Sequence, residues 1–213
     1  MLPIQKLFIK YNYSTRREKI KYIVLHDVGA ISSAKNNRDY FNKGYVGASA
    51  DFFIDSKNII QLIDYNVNNG WSVGDGRGKY GITNSNSVSI EMCLESNLEP
   101  SKATVDNTLN LVKKLMKELN ISNRNVVRHY DASHKLCPRS FSKNNWAKWN
   151  EFKSNLSIER KIDNMSILDL QKFLINLGIT DYENKRLIAD GWDGKRTQSA
   201  KAKAKAILKN ILA

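Results

Sequence analysis

The apolar residues in the first half of the chain fall into short runs with the length and pattern of strands. Residues 21–25 form a β-branched apolar run that ends at His26, which predicts a buried strand. Residues 52–54 and 59–63 flank a short polar segment, as the two strands of a hairpin do. Residues 88–94 alternate apolar with polar side chains, which predicts a strand with one apolar face.

Helical periodicity alternates with these runs. Ser33 is in position to cap a helix that ends near Gly44, and residues 101–119 place their apolar side chains on one helical face. Another short apolar strand at 125–129 ends at His129. Strands that alternate with helices are typical of α/β domains. We therefore expect an α/β fold with a central, mostly mixed β-sheet flanked by helices.

The apolar pattern lapses into polar and charged residues over 154–164, which we interpret as a linker. Beyond it, Ser166 and Asp169 have the spacing of a capping box and are followed by an apolar helical stripe. A turn-rich segment then precedes a last helix. The chain is expected to form one domain over 1–153 and a small all-α domain over 165–213, a size at which a core is marginal.

The composition of the 213 residues is that of a globular protein with a strong positive charge. Hydrophobic residues make up 41% and charged residues 26%, which excludes a mainly disordered or fibrous chain. The formal net charge of +13 makes polyanions the expected partners, and nucleic acid, an anionic membrane and an anionic cell wall all stay open. The apolar runs are too short to span a bilayer, and the N-terminal segment lacks a secretory apolar core.

The scarcity of histidine and cysteine narrows the search for a metal site. The chain has three histidines and two cysteines, too few for a disulfide framework. His26 and His129 each close a predicted strand, and Cys137 follows in a loop. Two imidazoles and a thiolate form a three-ligand zinc set with a fourth position open to water. Spacing alone favours a structural role for these residues, because no short-range HxxH or CxxC pattern is present.

Three motifs in a fixed order favour a metal site over a structural role for these residues. They are YIVLH at 22–26, NSVSIEMC at 86–93, and VRHYD at 127–131 with KLCP at 135–138. Together they resemble the zinc-dependent N-acetylmuramoyl-L-alanine amidases of phage endolysins and the peptidoglycan-recognition proteins. The resemblance spans about 20–140 and implies that His26, His129 and Cys137 bind Zn²⁺, which makes 1–153 the catalytic domain.

The resemblance also implies catalytic roles for Glu91 and Lys135. Glu91 lies on the polar side of its predicted strand, where solvent exposure is the alternative interpretation. In many phage members the matching glutamate takes a proton from the attacking water and later passes it to the leaving amine. Lys135 matches a lysine that stabilises the developing oxyanion, although an isolated loop lysine is usually just solvated.

The chain departs from the family in one segment and follows it in another. Residues 49–52 are SADF where the family often has SAHY, which shifts the catalytic work toward Glu91 and leaves Asp51 without a role. Trp71 resembles a tryptophan beside the family's groove, so we expect it to contact substrate, although tryptophan is more often a core residue. His134 matches no ligand position and is expected to be a surface histidine.

The C-terminal segment resembles a helical peptidoglycan-binding module. The resemblance rests on LDLQKFL at 168–174 and on DGWDGKRTQSA at 190–200, whose glycines permit tight turns. The alternative is a helical appendage that binds some other partner. We expect residues 165–213 to form a cell-wall-binding domain.

The resemblance implies a phage or prophage endolysin that hydrolyses the amide bond between N-acetylmuramic acid and L-alanine of peptidoglycan. Such a protein stays in the host cytoplasm until a holin opens the membrane, and then acts at the cell wall. We expect peptidoglycan and anionic wall polymers as partners, with no nucleic acid and no membrane insertion. One alternative is a non-catalytic peptidoglycan-recognition module. The other is a nucleic-acid-binding protein, although neither a reading helix nor interleaved stacking aromatics are found.

Overall fold

The protein is described from a computed structural model, which covers residues 2–163 and 165–211. The chain divides into two compact units, Met1–Asn150 and Glu151–Ala213. Within the described ranges, no helix is both long enough and apolar enough to cross a membrane.

A mixed β-sheet forms the centre of the first unit. Its strands and those of a small second sheet are β1 (Ile4–Lys6), β2 (Tyr13–Thr15), β3 (Tyr22–Ile31), β4 (Phe52–Ile54), β5 (Ile59–Gln61), β6 (Asn68–Gly70), β7 (Ser87–Leu94) and β8 (Val126–Arg128). The main sheet has six strands in the order β1-β5-β4-β7-β3-β8. All its neighbouring pairs are parallel except the predicted hairpin of β4 and β5, and β2 pairs with β6 separately.

Helices flank this sheet and build the second unit. They are α1 (Ala34–Phe41), α2 (Lys102–Glu118), α3 (His129–Ser133), α4 (Lys143–Asp163), α5 (Ile167–Asn176) and α6 (Lys195–Ile211). The predicted caps are confirmed, because the side chains of Ser33 and Ser166 accept hydrogen bonds from backbone N–H groups in the first turns of α1 and α5. Helices α1 and α2 pack against strands of the main sheet. The expected α/β class with a mixed central sheet is confirmed.

Strand β7 lies in the middle of the sheet and is buried on both faces. The polar side chains that alternate along this strand do not face solvent, since Ser89 and Cys93 are 1% and 0% exposed. Cys93 packs into a hydrophobic cluster that also contains Ala34 and Phe53. A central strand in a sheet covered by helices has no solvent side, so its small polar residues fill a core.

The second unit has its own apolar core between helices. The buried residues of this core are Ile162, Leu170, Leu174, Leu187, Ala200 and Ala204. An isolated antiparallel bridge between Thr180 and Arg186 shapes the connection from α5 to α6. Helices therefore provide the regular structure of this unit, as expected.

The segment interpreted as a linker is helical where the structure describes it. Helix α4 runs through residues 154–163, and Asn164 lies outside the described residues. Lysine, glutamate and arginine favour the helix, so a lapse of the apolar pattern does not end it. The boundary between the compact units falls between Asn150 and Glu151, ahead of the interpreted linker. A division of function between the two parts of the chain stays a prediction.

Candidate metal centre

Two neighbouring parallel strands bring His26 and His129 together. Strand β3 pairs with β8 in a register that sets Leu25 opposite Arg128, and a histidine follows each of them. The histidines are 2% and 3% exposed, and their ring centroids lie 4.6 Å apart. Both histidines were predicted to close a strand. His26 instead lies within β3, which continues to Ile31, and His129 is the first residue of α3.

The loop after α3 carries Cys137 to the two histidines. Its Sγ lies 3.8 Å from Nδ1 of His26, and the candidate ligand atoms of the three residues all lie within 4.8 Å of one another. The Asp27 carboxylate holds this loop, because it accepts hydrogen bonds from the backbone N–H groups of Arg139 at 2.9 Å and Ser140 at 2.6 Å. The structure therefore brings the three expected ligands into one buried cluster.

The polar atoms of this cluster fit a divalent metal ion. Nδ1 of His129 is buried and has no hydrogen-bond partner among the described residues. Burial lowers the pKa of both His26 and His129, so the imidazoles are neutral, as metal ligands must be. Burial raises the pKa of the Cys137 thiol, and a bound cation would reverse that shift. Two imidazoles and a sulfur are a donor set that catalytic zinc accepts.

Glu91 lies beside the cluster on β7. It is the register partner of His26, and its Oε1 lies 3.8 Å from Nδ1 of that histidine. The other oxygen, Oε2, is buried and has no hydrogen-bond partner in the described part of the chain. Burial and the nearby charge of Asp27 raise the pKa of Glu91 to about 8, against an opposing effect of Lys135. A carboxyl group in this setting is suited to proton transfer.

The cluster opens into a cavity of about 650 Å³. Glu91, Lys135 and Trp71 line it together with the three candidate ligands. Lys135 is exposed at the cavity, and its positive charge partly offsets the rise in the pKa of Glu91. Trp71 is held in the wall by a hydrogen bond of 2.8 Å from its Nε1 to Oγ of Ser14. The structure thus places all six residues singled out from the sequence around one cavity.

Asp75 is a site residue that sequence reasoning missed. Its Oδ1 lies 2.8 Å from Nε2 of His129, while Nδ1 of the same ring has no hydrogen-bond partner among the described residues. The turn that carries Asp75 lies very close to α3. A Cβ added to Gly76 in this turn would come within 2.2 Å of the carbonyl oxygen of Ala132. Asp75 lies in a glycine-rich loop far from His129 in sequence, so no spacing pattern marks it.

Asp51, which had no assigned role, holds the segment 49–51 against β7. Its Oδ2 accepts hydrogen bonds from the backbone N–H of Ser89 at 2.7 Å and from Oγ of the same residue at 2.8 Å. Burial raises the pKa of Asp51, although these hydrogen bonds oppose the shift. Since Ser89 is two residues from Glu91, Asp51 supports the strand that carries the candidate base.

The remaining histidine and cysteine lie outside the cluster. His134 is exposed and stacks on Tyr80 and Tyr130, with ring centroids 4.4 Å and 5.1 Å away. Cys93 is buried beside Asn37, and burial raises the pKa of its thiol, which disfavours the reactive thiolate.

A mixed sheet that carries a buried His–His–Cys cluster beside a carboxylate, at the base of an open cavity, defines a protein with a candidate centre for metal-assisted hydrolysis. The chain belongs to the N-acetylmuramoyl-L-alanine amidase family, whose sequence model matches residues 16–140. That range contains the three candidate ligands and Glu91. The resemblance drawn from the three motifs is therefore confirmed at the level of the family.

Individual relatives agree with this assignment. The chain is 32% identical over 175 residues to the N-acetylmuramoyl-L-alanine amidase CwlL of Bacillus licheniformis, covering 76% of this chain and 46% of the relative. It is 36% identical over 140 residues to the amidase XlyA of Bacillus subtilis strain 168, covering 63% of this chain and 43% of XlyA. The chain thus spans less than half the length of these two curated relatives.

Solved structures agree as well. A mutant endolysin from Bacillus subtilis matches with a TM-score of 0.64 at 32% identity, covering 74% of this chain and 100% of that chain. The catalytic domain of XlyA matches with a TM-score of 0.63 at 31% identity, and the match covers 73% of this chain and 100% of that domain's chain.

Proposed function

We propose that the chain is a zinc-dependent amidase that hydrolyses the bond between N-acetylmuramic acid and L-alanine of peptidoglycan. The observation that carries the proposal is the cluster of His26, His129 and Cys137 with ligand atoms within 4.8 Å, next to Glu91 in the same cavity. The family supplies the substrate class. The geometry supports the proposal, because three candidate ligands and a candidate base lie within contact range.

His26, His129 and Cys137 would hold the zinc ion. When bound, zinc supplies Lewis acidity that polarises the scissile carbonyl and acidifies the attacking water. Oε2 of Glu91, which has no hydrogen-bond partner among the described residues, accepts a proton from that water. The same carboxyl group then returns the proton to the amine of the departing stem peptide. This assignment uses one half-buried carboxyl group as base and then as acid.

Lys135 and Trp71 would act on the substrate itself. The Lys135 ammonium lines the same cavity as Glu91 and stabilises negative charge that develops on the carbonyl oxygen. Trp71 offers part of its ring to the cavity and would pack against sugar or peptide. Both roles are proposed from position, because Lys135 and Trp71 line the cavity that also contains the three candidate ligands.

We further propose that the protein works as a phage or prophage endolysin, released from the host cytoplasm to act at the cell wall. The similarity to a Bacillus subtilis endolysin supports this setting. Residues 165–213 would bind the wall, and the net charge of +13 suits its anionic polymers. We propose neither nucleic acid nor a membrane as a partner.

Mass spectrometry of digested peptidoglycan tests the proposed bond. The account predicts free stem peptides that begin with L-alanine, together with glycan strands that have lost their peptides. Intact peptidoglycan with the protein still bound would instead support a non-catalytic recognition module. New reducing sugar ends would contradict amide hydrolysis.

Asp75 is expected to position His129 for metal binding, so Asp75→Ala should weaken zinc affinity by about 10- to 100-fold. The carboxylate contacts Nε2 of His129 and favours the ring state in which Nδ1 is free to bind. Competition with a zinc chelator measures the affinity. The control is Asp106→Ala, which removes a half-buried carboxylate that pairs with Lys102 on α2. Equal zinc affinity in both variants would contradict the positioning role.

A further inference from the structure

The loop that follows β7 presents an exposed apolar side chain to the cavity of the candidate metal centre. Leu98 is 55% exposed and lines that cavity together with Glu91 and the cluster of His26, His129 and Cys137. The amide hydrolysis proposed above assigns this leucine no role.

The backbone at Leu98 adopts a conformation that leucine rarely occupies. Asn97 and Leu98 both have a φ of 56°, and the N–H of Glu99 donates to the carbonyl of Ser96 at 3.2 Å, as in a tight turn with two left-handed central residues. Such turns favour Asn followed by Gly, because a Cβ crowds the backbone at positive φ. In the part of the chain that the structure describes, Leu98 is the one aliphatic side chain at positive φ. Strain of this kind is typical of functional positions.

Contacts on both sides hold the turn of residues 96–99 in place. Glu95, which precedes the turn, accepts a hydrogen bond from Oγ of Ser101 at 2.8 Å, and its N–H donates to the carbonyl of Glu99 at 2.9 Å. The carboxylate of Glu99 pairs with Nζ of Lys148 at 2.8 Å. The strained turn is therefore braced, and a ligand would meet Leu98 without the entropy loss of ordering its loop.

Leu98 is one of several apolar and cationic side chains that line the cavity. Leu136 is 54% exposed and lines it too, as do Arg139 and Lys143. A stem peptide of peptidoglycan carries alanine methyl groups together with carboxylates, which apolar and cationic side chains can bind. A sugar ring presents hydroxyl groups and suits an aromatic face such as that of Trp71 instead. The chemistry at Leu98 therefore favours the peptide part of the substrate.

We propose that Leu98 is a specificity-determining residue whose side chain packs on the alanine methyl groups of the peptidoglycan stem peptide. The assignment rests on the proposed amidase function, because that function supplies the peptide as ligand. It goes further by naming the part of the substrate that this residue contacts. A leucine that binds substrate at the expense of backbone strain is an instance of the competition between function and stability.

Calorimetry with a synthetic stem tetrapeptide tests this role in the full chain with zinc added. Leu98→Asn removes the apolar side chain, and asparagine tolerates positive φ. The Kd for the tetrapeptide is expected to rise about tenfold, the factor that loss of an apolar contact of this size gives. The Tm is expected to rise by about 2–4 °C, because the strain is relieved. A leucine with a purely structural role would give a lower Tm and an unchanged Kd.

Two further variants and a second ligand isolate the apolar contact. Leu98→Met keeps the apolar volume, so its Kd is expected to match that of the parent chain. Leu7→Asn is the matched control, an exposed leucine of the same unit that does not line the cavity, and its Kd is expected to stay unchanged. A tetrapeptide with glycine in place of each alanine is expected to bind the parent chain and Leu98→Asn equally.

An unchanged Kd in Leu98→Asn would overturn the proposal, and so would an equal rise in Leu98→Met or in Leu7→Asn. Hydrolysis of a soluble muropeptide by the parent chain tests the amidase function separately. An inactive parent chain whose tetrapeptide affinity depends on Leu98 would contradict the amidase function and support the binding role. An active parent chain with an unchanged Kd in Leu98→Asn would do the reverse.

Discussion

Replacing Cys137 with alanine is expected to abolish both zinc retention and amide hydrolysis. Cys137 supplies the single sulfur of the cluster, and its Sγ lies 3.8 Å from Nδ1 of His26. Without it, two imidazoles remain, fewer than the three protein ligands typical of catalytic zinc sites. Zinc per chain is measured by elemental analysis after gel filtration, and hydrolysis by release of stem peptides that begin with L-alanine.

The matched control for this prediction is His134→Ala. His134 is another potential ligand in the same loop region, but it stacks on Tyr80 and Tyr130 outside the cluster. It is expected to retain zinc and activity. Circular dichroism of both variants checks folding, since Cys137 is buried. Full activity in Cys137→Ala would show that the cluster is not the metal site.

Glu91→Gln is expected to lower kcat by about 10²- to 10⁴-fold, the usual contribution of a general acid–base group. Glutamine keeps the shape of the side chain but cannot accept the proton. Because Glu91 is not one of the three clustered ligands, zinc retention is expected to persist. Steady-state hydrolysis of a soluble muropeptide gives kcat, and zinc content is measured on the same sample.

Glu118→Gln is the control for loss of a carboxylate, because Glu118 pairs with Lys114 on the surface of α2. Its kcat is expected to match that of the parent chain. Two results would count against Glu91 as the base. An unchanged kcat in Glu91→Gln would place the proton acceptor elsewhere, and a loss of zinc would make Glu91 part of the metal-binding structure instead.

Much of the fold could be predicted from the sequence because its elements are locally encoded. The β-branched run before His26, the hairpin of β4 and β5, and the caps at Ser33 and Ser166 each follow from short-range preferences. The order of the three motifs then indicated the family. The resemblance implied the three metal ligands and, separately, the catalytic roles of Glu91 and Lys135. The structure places those residues together, and their chemical roles stay predictions.

What the sequence did not reveal depends on contacts between distant segments. Asp75 reaches His129 across a loop that no spacing rule connects to it. The alternation over 88–94 predicted one apolar face, yet β7 is covered on both faces, and Ser89 and Cys93 are buried. The role of Asp51 emerged only when its carboxylate was seen on Ser89. Helix α4 ran through an interpreted linker because its charged residues still favour the helix.

Zinc titration of the chelated chain is the measurement that tests the central claim most directly. The protein is stripped with a chelator, dialysed, and given zinc in steps while release of L-alanine-terminated stem peptides is followed. The account predicts no activity at the start and a linear rise that ends at one zinc ion per chain, with no rise in Cys137→Ala. Full activity in the stripped protein, or equal recovery in Cys137→Ala, would contradict a zinc amidase centred on His26, His129 and Cys137.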